Sequence, residues 1–166
     1  ELFKNNTMTF VAGSSWQPDE DLFIEYFNQH PEVKLVIAPQ VIDENHMVEI
    51  IRKLKRPYVS YTRADEKNVR KADCLIIDCF GLLSSIYRYG EIAYIGGGFG
   101  VGIHNTLEAA VYGIPVIFGP KYQKFQAAIQ LLEAKGAFSV KAYEELNTLL
   151  DRMLTDEVFL REYGMN

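Results

Sequence analysis

Five glycines fall within seven residues in Gly96-Gly97-Gly98-Phe99-Gly100-Val101-Gly102, directly after the apolar Tyr94-Ile95 and directly before Ile103-His104-Asn105-Thr106-Leu107-Glu108. Glycine lets a backbone come close to a ligand. The start of a helix offers unpaired N–H groups and the positive end of a dipole. The stretch reads as a strand, a glycine turn, and a helix opening at His104-Asn105. Asn105 as cap with Glu108 three residues on is a capping pair, a role that needs no ligand. A cap alone does not call for five glycines, however. A carboxylate in that first turn can accept both hydroxyls of a ribose while nearby N–H groups meet a phosphate. The candidate is therefore a pocket for the phosphate and sugar of a nucleotide donor, with Gly97, Gly98, His104, Asn105, Thr106 and Glu108 at its edge. The glycines do not spell the dinucleotide fingerprint, which follows a first strand and wants an acidic residue about 20 positions later.

Other short motifs bear on the same chemistry. Gly13-Ser14-Ser15-Trp16 follows the first apolar run, and its hydroxyls and N–H groups could hold an anion or simply form a turn and cap. Asp78-Cys79-Phe80-Gly81 ends another apolar run, with Gly81 making the turn. Gly119-Pro120, with Tyr122 and Phe125, could wall a cleft or merely end a strand. His104 is a candidate ligand or base beside a cap, where a histidine also bonds locally. His30 and His46 lie on helix ends and carry no constellation. Neither a Ser/His/Asp nucleophile arrangement nor a metal-ligand spacing is visible, and Cys74 and Cys79 do not form a C-x-x-C pair.

The elements that must position these residues alternate. Apolar runs at 7–12, 33–38, 57–61, 74–78, 92–95, 114–118 and 137–140 read as strands. Segments of helical period at 19–29, 44–54, 66–71, 81–87, 105–113, 124–135, 143–154 and 157–163 read as helices. Continuous apolar strands alternating with helices predict an α/β fold with a doubly wound parallel sheet. Ligands of such sheets bind beyond the carboxyl ends of the strands, where strand order reverses. Every glycine or serine cluster above follows a strand and so falls on that edge.

With 166 residues, 48% hydrophobic and 23% charged, the chain predicts one domain, residues 1–166, with a sizeable core. A net charge of −5 argues against a nucleic-acid partner. Two cysteines fit reduced thiols in a cytoplasmic compartment. No apolar run approaches the roughly 20 residues of a membrane span, and no signal peptide opens the chain. The chain begins without methionine, which suggests a portion of a longer protein.

The motifs in order carry a family resemblance. They are A-G-S-S at 12–15, I-A-P at 37–39, D-C-F-G-L-L at 78–83, Y-I-G-G-G-F at 94–99, G-I-H-N-T-L-E-A-A at 102–110 and G-I-P-V-I-F-G-P at 113–120. Together the chain resembles the C-terminal domain of the 3-deoxy-D-manno-octulosonic acid (Kdo) transferases, two-domain glycosyltransferases of the B type. The resemblance implies that this domain binds CMP-Kdo in a cleft between two domains. The full enzyme would transfer Kdo to a lipid A precursor in lipopolysaccharide biosynthesis, at the cytoplasmic face of the inner membrane of a Gram-negative bacterium. It implies that Asn105 and Glu108 hold the cytidine ribose, with Ser14, Ser15 and the glycine loop beside the phosphate and the sugar carboxylate.

The same resemblance implies displacement at the anomeric carbon with CMP leaving, helix N-termini rather than a metal stabilising the phosphate. The acid/base residue and the acceptor site belong to an N-terminal domain outside this chain, which alone would be inactive and would meet the membrane only through the whole protein. Four positions depart from the family pattern. Gln40-Val41 stands where relatives carry R-H after the proline, Leu82-Leu83 stands for E-L after Gly81, Trp16 replaces a frequent histidine, and Gly98 a frequent serine. Two alternatives stay open: another B-type enzyme using a UDP-sugar, and a doubly wound binding module without chemistry of its own.

Overall fold

The computed structural model describes residues 3–4, 7–100, 110, 112–134 and 136–156. Among these, seven parallel strands form one sheet in the order β3-β4-β2-β1-β5-β6-β7. They are β1 (Met8–Ser15), β2 (Val33–Pro39), β3 (Tyr58–Ser60), β4 (Cys74–Ile76), β5 (Ile92–Ile95), β6 (Val116–Phe118) and β7 (Ala137–Ser139). The helices are α1 (Gln17–Gln29), α2 (Glu44–Lys53), α3 (Glu66–Lys71), α4 (Leu83–Ile86), α5 (Gln126–Glu133) and α6 (Tyr143–Thr155). The expected doubly wound sheet is what the chain forms.

Alternation along each strand builds two cores. Phe10, Ala12, Leu35, Ile37, Ile92, Tyr94 and Ile117 point to one face, where Phe23 and Phe27 of α1, Ile50 of α2, and Leu146, Leu150 and Met153 of α6 cover them. Val11, Val36, Ala93, Ile95, Val116 and Phe118 point to the other, against Tyr87, Ala128 and the partly buried Val69, Ile86 and Leu131. Both faces being covered, the central strands are mostly apolar rather than alternating, as parallel sheets require, with Thr9 and Lys34 as buried exceptions.

The strand ends differ from their sequence reading for local reasons. β6 begins at Val116 rather than residue 114, since Pro115 has no N–H to give; its carbonyl still accepts from Ala93 N at 3.0 Å. β3 is a three-residue edge strand passing into a 3-10 turn at Tyr61–Arg63. α5 starts at Gln126, two residues late, because Phe125 N closes a turn onto Tyr122 O at 2.9 Å.

Two side-chain fasteners hold the amino edge. Lys4 Nζ donates to Glu91 at 2.5 and 2.7 Å, and Glu91 also accepts from Thr9 N at 2.8 Å, so the segment before β1 is tied to the entry of β5. Arg56 Nη1 donates to the carbonyls of Phe27, His30 and Val33 at 2.8–2.9 Å, and its guanidinium lies 4.0 Å over the Phe27 ring. Those carbonyls sit at the last turn of α1 and the entry to β2, so one side chain serves the helix-end acceptors.

Candidate functional site

Strand order reverses between β1 and β5: from β1 the chain first builds outward through β2, then returns to β5 on the other side. The carboxyl ends of these two strands are therefore the switch point of the sheet, where ligands of this architecture bind. The two motifs that end them are Gly13-Ser14-Ser15 and Gly96-Gly97-Gly98.

The two turns touch. Gly96 N donates to Gly13 O at 2.8 Å, and a Cβ on Gly96 would lie 2.1 Å from Ser14 O. Only a residue without a side chain fits there. On the next strand, a Cβ on Gly98 would lie 2.5 Å from Gly119 N, and Gly98 O accepts from Lys121 N at 2.8 Å. Ser14 is the bulged residue of β1, with φ at 55°, a backbone setting that costs free energy for a side-chain-bearing residue. Backbone from three consecutive strands, β1, β5 and β6, thus converges with little side-chain bulk between.

Two adjacent carboxylates at the start of α1 brace this edge, and both are fully buried. Asp19 Oδ2 accepts from Trp16 N at 2.9 Å and from Gly97 N at 3.1 Å, and Asp19 Oδ1 accepts from the Tyr94 hydroxyl at 2.7 Å. Burial first, then the neighbouring Asp19 charge and its hydrogen bond, pushes the Tyr94 phenol well above its ordinary value. Glu20 accepts from Ser15 Oγ at 2.7 Å and meets His46 Nε2 at 2.7 and 3.0 Å, while His46 Nδ1 lies 2.6 Å from Val41 O.

These contacts sort the residues singled out in the sequence. Ser14, Ser15, Gly97 and Gly98 are brought together at the switch point. The Ser15 hydroxyl faces Glu20, and the Gly97 N–H is given to Asp19, so both of these polar groups are engaged within the protein. Gly81, with φ at 91° and open space around it, follows β4 and is separated from β1 by β2. Beside it Phe80 is 78% exposed. Tyr122 packs on Phe118 with ring centroids 5.4 Å apart, and Phe125 is exposed beyond it. His104, Asn105, Thr106 and Glu108, with the helix over 105–113 apart from Ala110, Tyr112 and Gly113 and the closing helix over 157–163, lie outside the described residues.

The reading of His30 and His46 as carrying no constellation is corrected. His46 belongs to the Glu20–Ser15 brace. His30 stacks on Tyr26 at 3.7 Å and pairs with Asp151 of α6 at 3.1 Å. Asp19 and Glu20 were legible only as acidic residues of a helix first turn. Their partners lie up to 78 residues away, and no spacing rule reaches that far.

Burial pushes the Cys74 thiol up, so it stays protonated inside the sheet. Among the described residues, no group of three or more His, Cys, Asp or Glu side chains is placed to hold a metal ion. No described helix is long and apolar enough to cross a membrane.

Comparison with known proteins supports the resemblance read from the motifs. A 3-deoxy-D-manno-octulosonic acid transferase of Aquifex aeolicus (strain VF5) is 34% identical over 151 residues, covering 87% of this chain and 41% of that protein. A bifunctional glycosyltransferase/methyltransferase of Fusobacterium nucleatum is 30% identical over 140 residues, covering 82% of this chain and 22% of that protein. The chain thus spans less than half the length of these relatives. The crystal structure of the C-terminal CMP-Kdo binding domain of WaaA from Acinetobacter baumannii superposes with a TM-score of 0.82 over 98% of this chain and 88% of that one, at 19% identity. No family model matches the chain. The chain is accordingly a relative of the Kdo transferases, with the Rossmann-like fold of the C-terminal half of a B-type glycosyltransferase.

Proposed function

We propose that this chain is the donor-binding half of a glycosyltransferase that moves Kdo from CMP-Kdo to a lipid A precursor in lipopolysaccharide biosynthesis. The observation that carries the reading is the contact between the Ser14-Ser15 and Gly96-Gly97 turns at the switch point, in a chain related to Kdo transferases. Small residues there leave backbone close to any bound phosphate, and the sheet's geometry aims both turns at one crevice.

In this reading the nucleotide lies along residues 96–108. Asn105 and Glu108 take the ribose, and His104 and Thr106 flank it. Ser14, Gly97 and Gly98 lie beside the phosphate and the sugar's carboxylate, and Gly81 lies farther along the same edge. Departure of CMP from the anomeric carbon is assisted by fixed backbone dipoles with no metal required. The acid/base residue and the acceptor site belong to an N-terminal domain, and the whole protein works at the cytoplasmic face of a Gram-negative inner membrane.

Titration of the chain with CMP, UMP and UDP by calorimetry tests the donor assignment. A clear preference for CMP is expected, whereas preference for a uridine nucleotide points to a UDP-sugar enzyme and overturns it. Glu108→Ala separates donor binding from a plain binding module: weaker CMP binding is expected. Changed stability with untouched nucleotide affinity would leave the residue only its capping role.

A further inference from the structure

We infer that His46 is a positioning residue for this site: through Glu20 it fixes Ser15, and with it the left-handed Ser14 backbone that forms the β1 lip of the crevice. The inference rests on the donor reading above for its consequence in binding, but the brace itself stands on contacts alone.

The chemistry of the ring constrains the arrangement. His46 Nδ1 lies 2.6 Å from the Val41 carbonyl, which has no hydrogen to offer, so Nδ1 is the donor there. Nε2 lies 2.7 and 3.0 Å from the two Glu20 oxygens. A proton therefore also lies between Nε2 and Glu20, and the ring bridges the loop after β2 to the start of α1. Glu20 is fully buried and passes the link on to Ser15 Oγ at 2.7 Å. Ser15 O in turn accepts from Gln40 N at 3.0 Å, closing a ring of contacts between the ends of β1 and β2.

This matters at Ser14. Its φ of 55° is unfavourable for a residue with a side chain and persists only where neighbours hold it. On one flank the neighbour is Gly96, whose N–H reaches Gly13 O. On the other it is Ser15, held by Glu20 and His46. Removing the imidazole leaves a buried carboxylate with one partner fewer and loosens the lip from the α2 side.

Two substitutions separate the brace from general stability. In His46→Gln the side-chain amide nitrogen can stand where Nε2 stands and still donate to Glu20. In His46→Asn the shorter amide can reach only the Val41 side. The expected result is CMP affinity near that of the unaltered chain for His46→Gln and about tenfold weaker for His46→Asn, the size of loss expected when one hydrogen bond to a charged group is removed. Thermal midpoints within a few degrees of each other are expected for the two variants. Equal affinity for both variants and the unaltered chain overturns the inference.

If the unaltered chain binds no CMP, the donor reading fails, and hydrogen exchange then judges the brace on its own. Faster exchange at the Gln40 and Gly96 amides in His46→Asn, but not in His46→Gln, supports it; unchanged exchange in both variants refutes it.

Discussion

The Asp19 carboxylate lies 3.1 Å from the Gly97 amide nitrogen, 78 residues on, and so fastens the first turn of α1 to the glycine turn after β5. One oxygen also serves Trp16 N and the other serves the Tyr94 hydroxyl. The carboxylate is fully buried, and so are its bonds to the Tyr94 hydroxyl and the Gly97 amide, which leaves those two donors without ready water as a substitute. Asp19→Ala should cost about 3 kcal/mol or more in urea unfolding, from several buried donors left without a partner. A loss below about 1 kcal/mol would show that water or another group replaces the carboxylate.

Tyr94 should shape the alkaline limb of stability. Its phenol is raised well above the ordinary 10.0 by burial, then by Asp19. Above pH 10.0 the unfolded chain gives up this proton while the native chain keeps it, so stability falls as pH rises through that window. Tyr94→Phe removes that contribution. Its urea midpoint should drop less between pH 9 and pH 11 than that of the unaltered chain, about those values being the span the linkage covers. Parallel curves for the two proteins would contradict the assignment.

A side chain at Gly98 should not be tolerated freely. A Cβ would lie 2.5 Å from Gly119 N and 2.6 Å from Gly119 Cα, both backbone atoms that cannot swing aside. Gly98→Ser should destabilise by about 2 kcal/mol, a typical cost of overpacking. A melting curve unchanged from the parent would mean that the β6 end shifts at no cost.

Arg56 carries a geometric prediction. Its fork meets the Phe27, His30 and Val33 carbonyls through one nitrogen, while the other reaches Pro31 O at 3.1 Å and Asp73 at 3.3 Å. Lysine keeps the charge but not the fork. Arg56→Ala should cost about 3 kcal/mol, and Arg56→Lys should recover less than half of it, by thermal or urea unfolding. Full recovery by lysine would reduce the role to charge alone.

The periodicity of the chain was enough to read the architecture. Runs such as 33–38 and 92–95 are almost wholly apolar because both faces of β2 and β5 are covered, the pattern expected of a parallel sheet between two helical layers. The switch point was legible to the same depth, because glycine clusters mark where strands stop and backbones crowd. What stayed hidden was the bracing. Asp19 and Glu20 have the appearance of ordinary helix-dipole residues, and His46 that of a polar residue near a helix start. Their roles come from partners supplied by β5, α2 and the β1 bulge, which only tertiary contact reveals. Pro115 likewise shortened β6 through a missing donor that the hydropathy of residues 114–118 conceals.

The clasp between Lys4 and Glu91 acquires a mechanical meaning beside the one between Asp19 and Gly97. The outer strands β3, β4 and β2 form one leaf of the sheet and β6 and β7 the other, hinged together along the seam of β1 with β5. That seam is riveted at its amino end by Glu91 and at its carboxyl end by Asp19. Under a pulling force the sheet should peel from its free margins inward, and β1 with its two neighbours β2 and β5 should slip last. The crevice at its end would then be the part of the molecule that keeps its shape longest.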